Sequence, residues 1–417
     1  MMNRNGVILG MLSLFLTMAF PIQAQDTTLS IIWRASDACT ALDTLTDEYP
    51  SATISVNCVP ETQWFDAIFI DFAAGIGADL VIMDTQFLGT ATSRNYLTDL
   101  TTWAQSTLPL TDYDPALLTI HTTADGQLVA LPLLPDVRML AYRADIYQQA
   151  GLLPPTTWTG LLNQAQSLQT SDRIDYGYAT SWSRQSDYVV SSWNHILWSF
   201  EGALWDQASY TADGVVNSDQ AQQALTLANS LWQTAPPNAI TYTPDDVIAA
   251  ICTGTTAIVE IWATDANQIT NPNTCDQSDN ITFARVPAET AHFTSYGGDA
   301  IAIRASSQKQ AESLAFLAWI QSDFVQERWI LVGGFSGRTS INQATQDLAP
   351  YLPIFAESLP LVRDYWQLPE FQILRNIQQQ YINLATSNQL DPIEALDTIA
   401  IEHQRIFDAN YPITTQP

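Results

Sequence analysis

Short apolar runs alternate with longer amphipathic stretches from residue 29 onward, which is the pattern of strands interleaved with helices. Leu29 to Trp33 reads as a buried strand, Ala38 to Tyr49 as a helix, and Ala52 to Val59 as a second strand alternating Ile54, Val56 and Cys58. Ala78 to Met83, a short apolar run after Gly75 and Gly77, predicts a third parallel strand, and Leu128 to Leu134 another extended piece. Thr157 caps a helix through Leu168 behind the Pro154-Pro155 stop, and Ser218 starts one through Gln233 with Ala221, Leu225 and Ala228 on a common face. Ser307-Gln308-Lys309-Gln310 has the form of a capping box opening a helix over Ala311 to Gln321. Such alternation implies layered sheets covered by helices, an α/β class.

The N-terminus departs from this pattern. Arg4 precedes an uncharged, weakly polar to apolar run from Gly6 to Phe20, too short to span a bilayer comfortably, and the run ends in Pro21-Ile22-Gln23-Ala24. Residues 1–24 therefore read as a secretory signal, with an uncleaved anchor as the alternative. No cysteine follows the run, so a lipid anchor there is not expected. The mature chain is expected to be soluble, in the periplasm or outside the cell.

Charge narrows the function. Only 14% of the 417 residues are charged, yet the formal net charge is -28, with 43 acids against 15 Lys and Arg. Such a field repels phosphate backbones and anionic membrane surfaces, so no nucleic-acid partner is expected. Lys309 follows no glycine loop, which excludes a phosphate-cradling ATPase. His121, His195, His292 and His403 lack metal-ligand spacing, and no cofactor motif is complete, so neither metal nor cofactor is expected. Gly334-Phe335-Ser336-Gly337 is one residue short of a nucleophile elbow, and Gly75-Ile76-Gly77-Ala78 lacks the third glycine of a dinucleotide loop. Ser306 to Lys309 matches S-x-x-K, but the K-T-G partner element needs a second lysine.

The cysteines form two close pairs in the chain, Cys39 with Cys58 and Cys252 with Cys275. In an exported chain this grouping predicts disulfides, although three connectivities are formally possible. A right-handed β-α-β unit places Cys39 and Cys58 at the same carboxyl edge, whereas Cys275 lies in the polar loop 271–280, which a bridge to Cys252 would tie down.

Several blocks then occur in an order that resembles a known family. They are Ile31-Ile32-Trp33 with Asp37; Ala73 to Asp84; Asp125-Gly126-Gln127-Leu128-Val129-Ala130-Leu131-Pro132 continuing to Pro155-Thr156-Thr157-Trp158; Gly254 to Trp262; Gly297-Gly298; and Asp391 to Asp397. Together they resemble the extracellular solute-binding proteins related to maltose-binding protein. The resemblance implies a two-lobed periplasmic-binding-protein fold, type II-like, that delivers a small ligand to the membrane permease subunits of an ABC importer. It implies chain crossings near Pro135 to Val137, Val286 to Ala288 and Gly337 to Thr339. The expected lobes are 25–136 with 287–338, and 137–286 with 339–417, in a monomer that closes by hinge bending.

A neutral sugar offers hydroxyl donors to carboxylates and an apolar face to aromatic rings, so acids and tryptophans at the carboxyl edges of strands are the candidates. These are Asp37 past the first strand, Asp84 past the third, Asp136 at the first crossing and Trp262 at the end of its strand. Gly298, Arg338 and Trp182 complete the set, with Trp193 and Trp366 as further walls; each tryptophan has a core residue as its alternative reading. The expected function is binding of a sugar or oligosaccharide, without catalysis. A polyamine in an acidic, aromatic cage and an exported glycan-cleaving enzyme are the alternatives.

Overall fold

Residues 28–411, apart from 172, 365 and 366, are described by a computed structural model. The signal reading on 1–24 and Trp366 lie outside the described residues. Strands form where the apolar runs predict: β1 Thr28–Arg34, β2 Thr53–Val59, β3 Leu80–Asp84, β4 Leu131–Leu134, β5 Arg138–Arg143, β6 Tyr176–Ala179, β7 Thr256–Trp262, β8 Ile281–Arg285, β9 Thr294–Ser295, β10 Asp299–Ile303 and β11 Val362–Arg363.

They make two sheets and a small linker ribbon. The first sheet has the order β2-β1-β3-β10-β4, with β1, β2 and β3 parallel and β10 antiparallel to both β3 and β4. The second has the order β6-β7-β5-β8, antiparallel except for β6 beside β7. In β3 the first four residues are buried, and β7 and β10 are buried throughout, because helices cover both faces of each sheet. The edge strand β2 instead alternates between exposed and half-buried positions.

Between the sheets the chain passes side by side in short segments. Val137 bridges Tyr296, and β9 pairs in parallel with β11. The crossing segments read at 135–137 and after β8 thus meet a further linker strand, Val362–Arg363, that the sequence did not single out. Gly337 and Arg338 pack within the first lobe: a Cβ on Gly337 would meet Leu117 and Pro132, and Arg338 bridges Tyr113. The following helices Thr339–Thr345 and Leu352–Ser358 lead toward β8 and β5 of the second sheet.

Local signals held unevenly. Thr157 and Ser218 cap their helices, their hydroxyls accepting from the Gly160 and Ala221 amides. The box at Ser307 does not form. The helix begins at Gln310 with Lys309 at its N-cap position, and the Ser307 hydroxyl donates instead to Asp79 Oδ1 at 2.8 Å. Asp79 is buried and demands donors, and it also takes Ser30 N, Ser30 Oγ and Lys309 Nζ. Burial alone would raise the Asp79 carboxyl; the bonds from Ser307, Lys309 and Ser30 outweigh it and hold the group below its ordinary range. The Gly75-Ile76-Gly77 motif is a turn: both glycines have positive φ, 66° and 96°, and the Arg304 guanidinium binds the carbonyls of Gly75, Gly77 and Ala78.

Cys39 pairs with Cys58 and Cys252 with Cys275, the second bridge fastening loop 271–280 to the end of the helix Pro244–Cys252. Each closes a loop in the unfolded chain. Replacing Cys252 and Cys275 together by alanine is expected to remove about 3 kcal/mol of stability, read from urea melts with and without reductant; equal midpoints in wild type and variant would show that the bridge constrains nothing.

Candidate functional site

The carboxyl end of β3 in the first lobe lies near Asp187, at the start of the helix Tyr188–Ser199 in the second, and Gly297, just before β10, packs on Trp262 at the end of β7; the candidate site is the seam between them. On the first side β1 ends in Arg34, and β10 begins with Asp299 directly opposite Asp84 in the β10–β3 register. Trp33 Nε1 donates to Asp299 Oδ2 at 2.9 Å, and Arg34 donates to the same oxygen through Nε at 3.0 Å. Arg34 Nη2 lies 3.0 Å away as well. Arg34 stays firmly protonated: burial opposes its charge, but Asp299, with Glu61 and Asp84, more than restores it. The other oxygen, Asp299 Oδ1, is buried and has no hydrogen-bond partner among the described residues. An acceptor left open at a seam of this kind is a place for a ligand donor.

Asp84 bonds its own turn, accepting from Gln86 N at 3.1 Å and Gln86 Nε2 at 2.8 Å. Its carboxyl is pushed up to about 8, first by burial, then by Asp187 and Asp299. Asp187 comes from the opposite lobe, just before the helix Tyr188–Ser199, so like charges confront one another when the lobes meet. Tyr188 next to it is also raised, by burial and then by Glu61 of the first lobe and Asp187. The lobes touch through Gln86 Oε1, which accepts from Arg375 Nη1 at 2.6 Å, and through Thr85 Oγ1, which donates to Asp364 Oδ2 at 2.8 Å.

On the second side Trp262 ends β7 and is 9% exposed. The Arg138 guanidinium lies 4.2 Å from its ring centroid, and its benzo end abuts Gly297, where a Cβ would come within 2.5 Å. Its amide is fixed by Asp265 Oδ2 at 3.1 Å. Arg138 in turn sits 3.5 Å from Glu260, beside a fully buried set in which His195 Nε2 lies 3.3 Å from Glu260 Oε2 and its Nδ1 lies 3.2 Å from Ser295 Oγ. Tyr178 donates to Glu260 at 2.8 Å. The serine, histidine and glutamate resemble a nucleophilic relay in composition, but all are buried and no substrate carbonyl could reach Ser295. They support the floor beneath Trp262.

The remaining candidates are dispersed. Asp136 is buried and its oxygens are engaged by Val137 N at 2.9 Å, Thr264 N at 3.3 Å and Thr264 Oγ1 at 2.6 Å, so it braces the crossing rather than opening to a ligand. Burial raises it to about 7 despite those bonds. Asp37 is exposed at the rim as the first residue of its helix, whose cap is Ser36. Gly298 is a packing position, since a Cβ there would strike Tyr296 and the Pro135 backbone. Arg338 is spent within the first lobe on Asp112 at 2.8 Å, Asp323 at 2.5 Å and the Gln321 carbonyl. Trp182 lies in the second core against Trp232, its Nε1 on Thr386 Oγ1, and Trp193 is fully buried there too. The seam thus gathers Asp84 and Trp262 from the candidates and adds Arg34, Gln86, Asp187, Asp299 and Arg375. Asp299 had a signal in the sequence, a carboxylate heading an apolar strand after two glycines; Asp187 and Arg375, on or beside helices, had none.

The sequence profile of the bacterial extracellular solute-binding protein family matches residues 38–327. The chain belongs to this family. It is 23% identical over 236 residues to a probable amino-acid ABC transporter periplasmic-binding protein of Sinorhizobium fredii, covering 56% of this chain and 53% of that one. It is 24% identical over 306 residues to a mannitol-binding protein of Pseudomonas aeruginosa, covering 65% and 67%. The chain thus spans about half the length of the first of these relatives. The sugar-binding protein MalE of Xanthomonas citri superposes with a TM-score of 0.82 at 17% identity, covering 94% of this chain and all of that one, so the two-lobed fold is shared. Among the described residues no helix is long and apolar enough to cross a membrane.

The raised acids make stability pH-dependent. A group whose folded-state pKa lies above its free value, as for Asp84 at about 8, Asp136 at about 7 and Asp265 at about 6, keeps a proton that the unfolded chain releases. Its contribution is complete below the free carboxyl range near ~4 and is lost as pH rises through the folded value. The unliganded melting temperature is therefore expected to fall between pH 5 and about 9, with Asp84→Asn melting higher than wild type at the alkaline end. Superimposable pH profiles for the two would rule out strain at Asp84.

Proposed function

We infer that this family member is the extracytoplasmic solute-binding component of an ABC importer, and that it takes a sugar or polyol in the seam. The observation that carries this is the convergence of Asp84, Asp187 and Asp299, with an open acceptor on Asp299, two residues from the Gly297 on which the Trp262 indole packs. Hydroxyl groups are neutral donors that such carboxylates can accept without a counter-charge, and a sugar's C–H face suits an aromatic wall. A cation would gain from the acids but would also face Arg34, already at the centre of the group. The family places the chain among solute-binding proteins, and the relatives that bind mannitol and sugars favour the polyhydroxy class.

The lobes in this reading are 25–136 with 287–338, and 137–286 with 339–417. They would swing on the side-by-side segments at 135–137, β9 and β11, with permease subunits recognising the closed monomer. Nothing in this reading requires chemistry: the acids accept hydroxyl donors, and the bound molecule leaves unchanged.

A thermal-shift screen over mannitol, ribitol, maltose, amino acids and spermidine checks the ligand class, since a ligand at about a hundred times its dissociation constant adds roughly 2.7 kcal/mol. The stabilising compound is expected to be a sugar or polyol and to be recovered intact. Trp262→Ala should weaken it more than tenfold, or about 1.4 kcal/mol. Stabilisation by amino acids or spermidine alone would transfer the chain to another ligand class, and turnover of a bound glycan would make it an enzyme.

A further inference from the structure

A cavity of about 580 Å3 opens away from the seam, on the flank of the molecule, and neither Asp84, Asp299 nor Trp262 lines it. Its walls come from both lobes. The first contributes Asn95, His121, Asp125 and Gln127; the second contributes Trp205, Gln207 and Tyr210. The volume falls in the range of small-molecule sites, about 300–1,000 Å3.

The chemistry of the walls selects a ligand class. Tyr210 stacks on Tyr411 with ring centroids 3.9 Å apart and planes within 5°, a rigid aromatic platform beside Trp205. Facing groups are amides and two carboxylates, from Asn95, Gln127, Gln207, Asp125 and Asp364, and among the described residues no lysine or arginine lines the space. An anion would find no counter-charge there, whereas a polyhydroxylated neutral molecule would find both an aromatic face and acceptors. His121, buried in the wall, has Nδ1 2.8 Å from the Leu117 carbonyl and Nε2 without a partner among the described residues. That leaves an unsatisfied acceptor. Tyr210 holds a left-handed backbone conformation, φ 52°, which a tyrosine avoids unless the surroundings impose it.

The cavity and the seam share a wall. Thr85, next to Asp84, donates to Asp364, which lines the cavity, and Gly89 passes so close to the second lobe that a Cβ would lie 2.5 Å from the Leu368 carbonyl. A molecule held by both walls is held only while the lobes stand in this arrangement. We propose that the flank cavity is a second binding site, for a neutral saccharide or polyol, and that its occupancy and closure of the seam favour each other. Linkage then makes the effect reciprocal: whatever factor a flank ligand adds to seam affinity, a seam ligand adds to flank affinity. The site itself does not rest on what the seam binds; the coupling does rest on the seam's being the ligand site.

Calorimetric titration of the full mature chain with mannitol, maltose and raffinose tests this, using Tyr210→Asn, which tolerates the left-handed backbone, Gln207→Trp, which fills the mouth from an exposed position, and Trp262→Ala. At least one probe is expected to show a second, weaker event that Tyr210→Asn weakens tenfold or more and Gln207→Trp abolishes, while Trp262→Ala affects the tighter one. Melting curves identify a variant that has lost its fold, and the other cavity variant then carries the comparison. Binding sensitive to Tyr210 but not to Trp262 would uphold the flank site and refute the seam. A stoichiometry of one for every probe, indifferent to both cavity variants, overturns the second site; two events whose affinities ignore one another overturn the coupling.

Discussion

The carboxylate of Asp136 sits where the molecule changes from one lobe to the other, and its bonds decide how the two sheets meet. Its side chain takes the Val137 amide and both the amide and hydroxyl of Thr264, while its own carbonyl accepts from Gly297. One residue thereby gathers the first crossing, the turn after β7 and the second crossing. Those are the positions from which Trp262, Arg138 and Asp299 are projected. A small rotation here would move Trp262, Arg138 and Asp299 together.

Beneath this clamp the second lobe carries charge where a core would ordinarily be apolar. Glu260 lies inside the fully buried β7, and burial would raise its carboxyl, yet His195, Arg138 and Tyr178 hold it below its ordinary range. Three serine hydroxyls, from Ser181, Ser191 and Ser192, lie within 2.9 Å of Arg138 Nη2. A buried ion pair of this kind adds little net stability over apolar packing, but removing either partner leaves an uncompensated charge. Its structural consequence is orientation: Arg138 is fixed from below and lies flat on Trp262 above.

In the first lobe the same logic operates at both ends of the sheet. At the edge away from the seam, Arg304 and Asp79 hold the turn around Gly75 and the start of the helix Gln310–Ile320. At the seam edge, Asp299 fastens Trp33 and Arg34 with one oxygen and leaves the other open. A chain with a formal charge of -28 has few cations, and three of them, Arg34, Arg138 and Lys309, are placed against buried carboxylates. The seam keeps an excess of acid over base.

The sequence by itself determined the elements and their class, because apolar periodicity, caps and glycine turns act over a few residues and are written locally. It placed β1 to β3 and the helices capped by Thr157 and Ser218, and its cysteine spacing matched the bridges that form. The positions of Asp84 and Trp262 at the seam were legible because each ends an apolar strand, and strand ends are where such sheets hold ligands. What only the tertiary structure decided is which polar groups share a space. Asp136 and Asp84 look alike in sequence; one is consumed by Thr264 and the other faces Asp187 across the seam. Arg338 and Trp182 carry suitable chemistry but are turned into the interiors of separate lobes, while Arg375, Asp187 and the Tyr210 platform come together from segments far apart in the chain. Those meetings depend on how two sheets are tilted about a few crossing segments, and no local pattern encodes that angle.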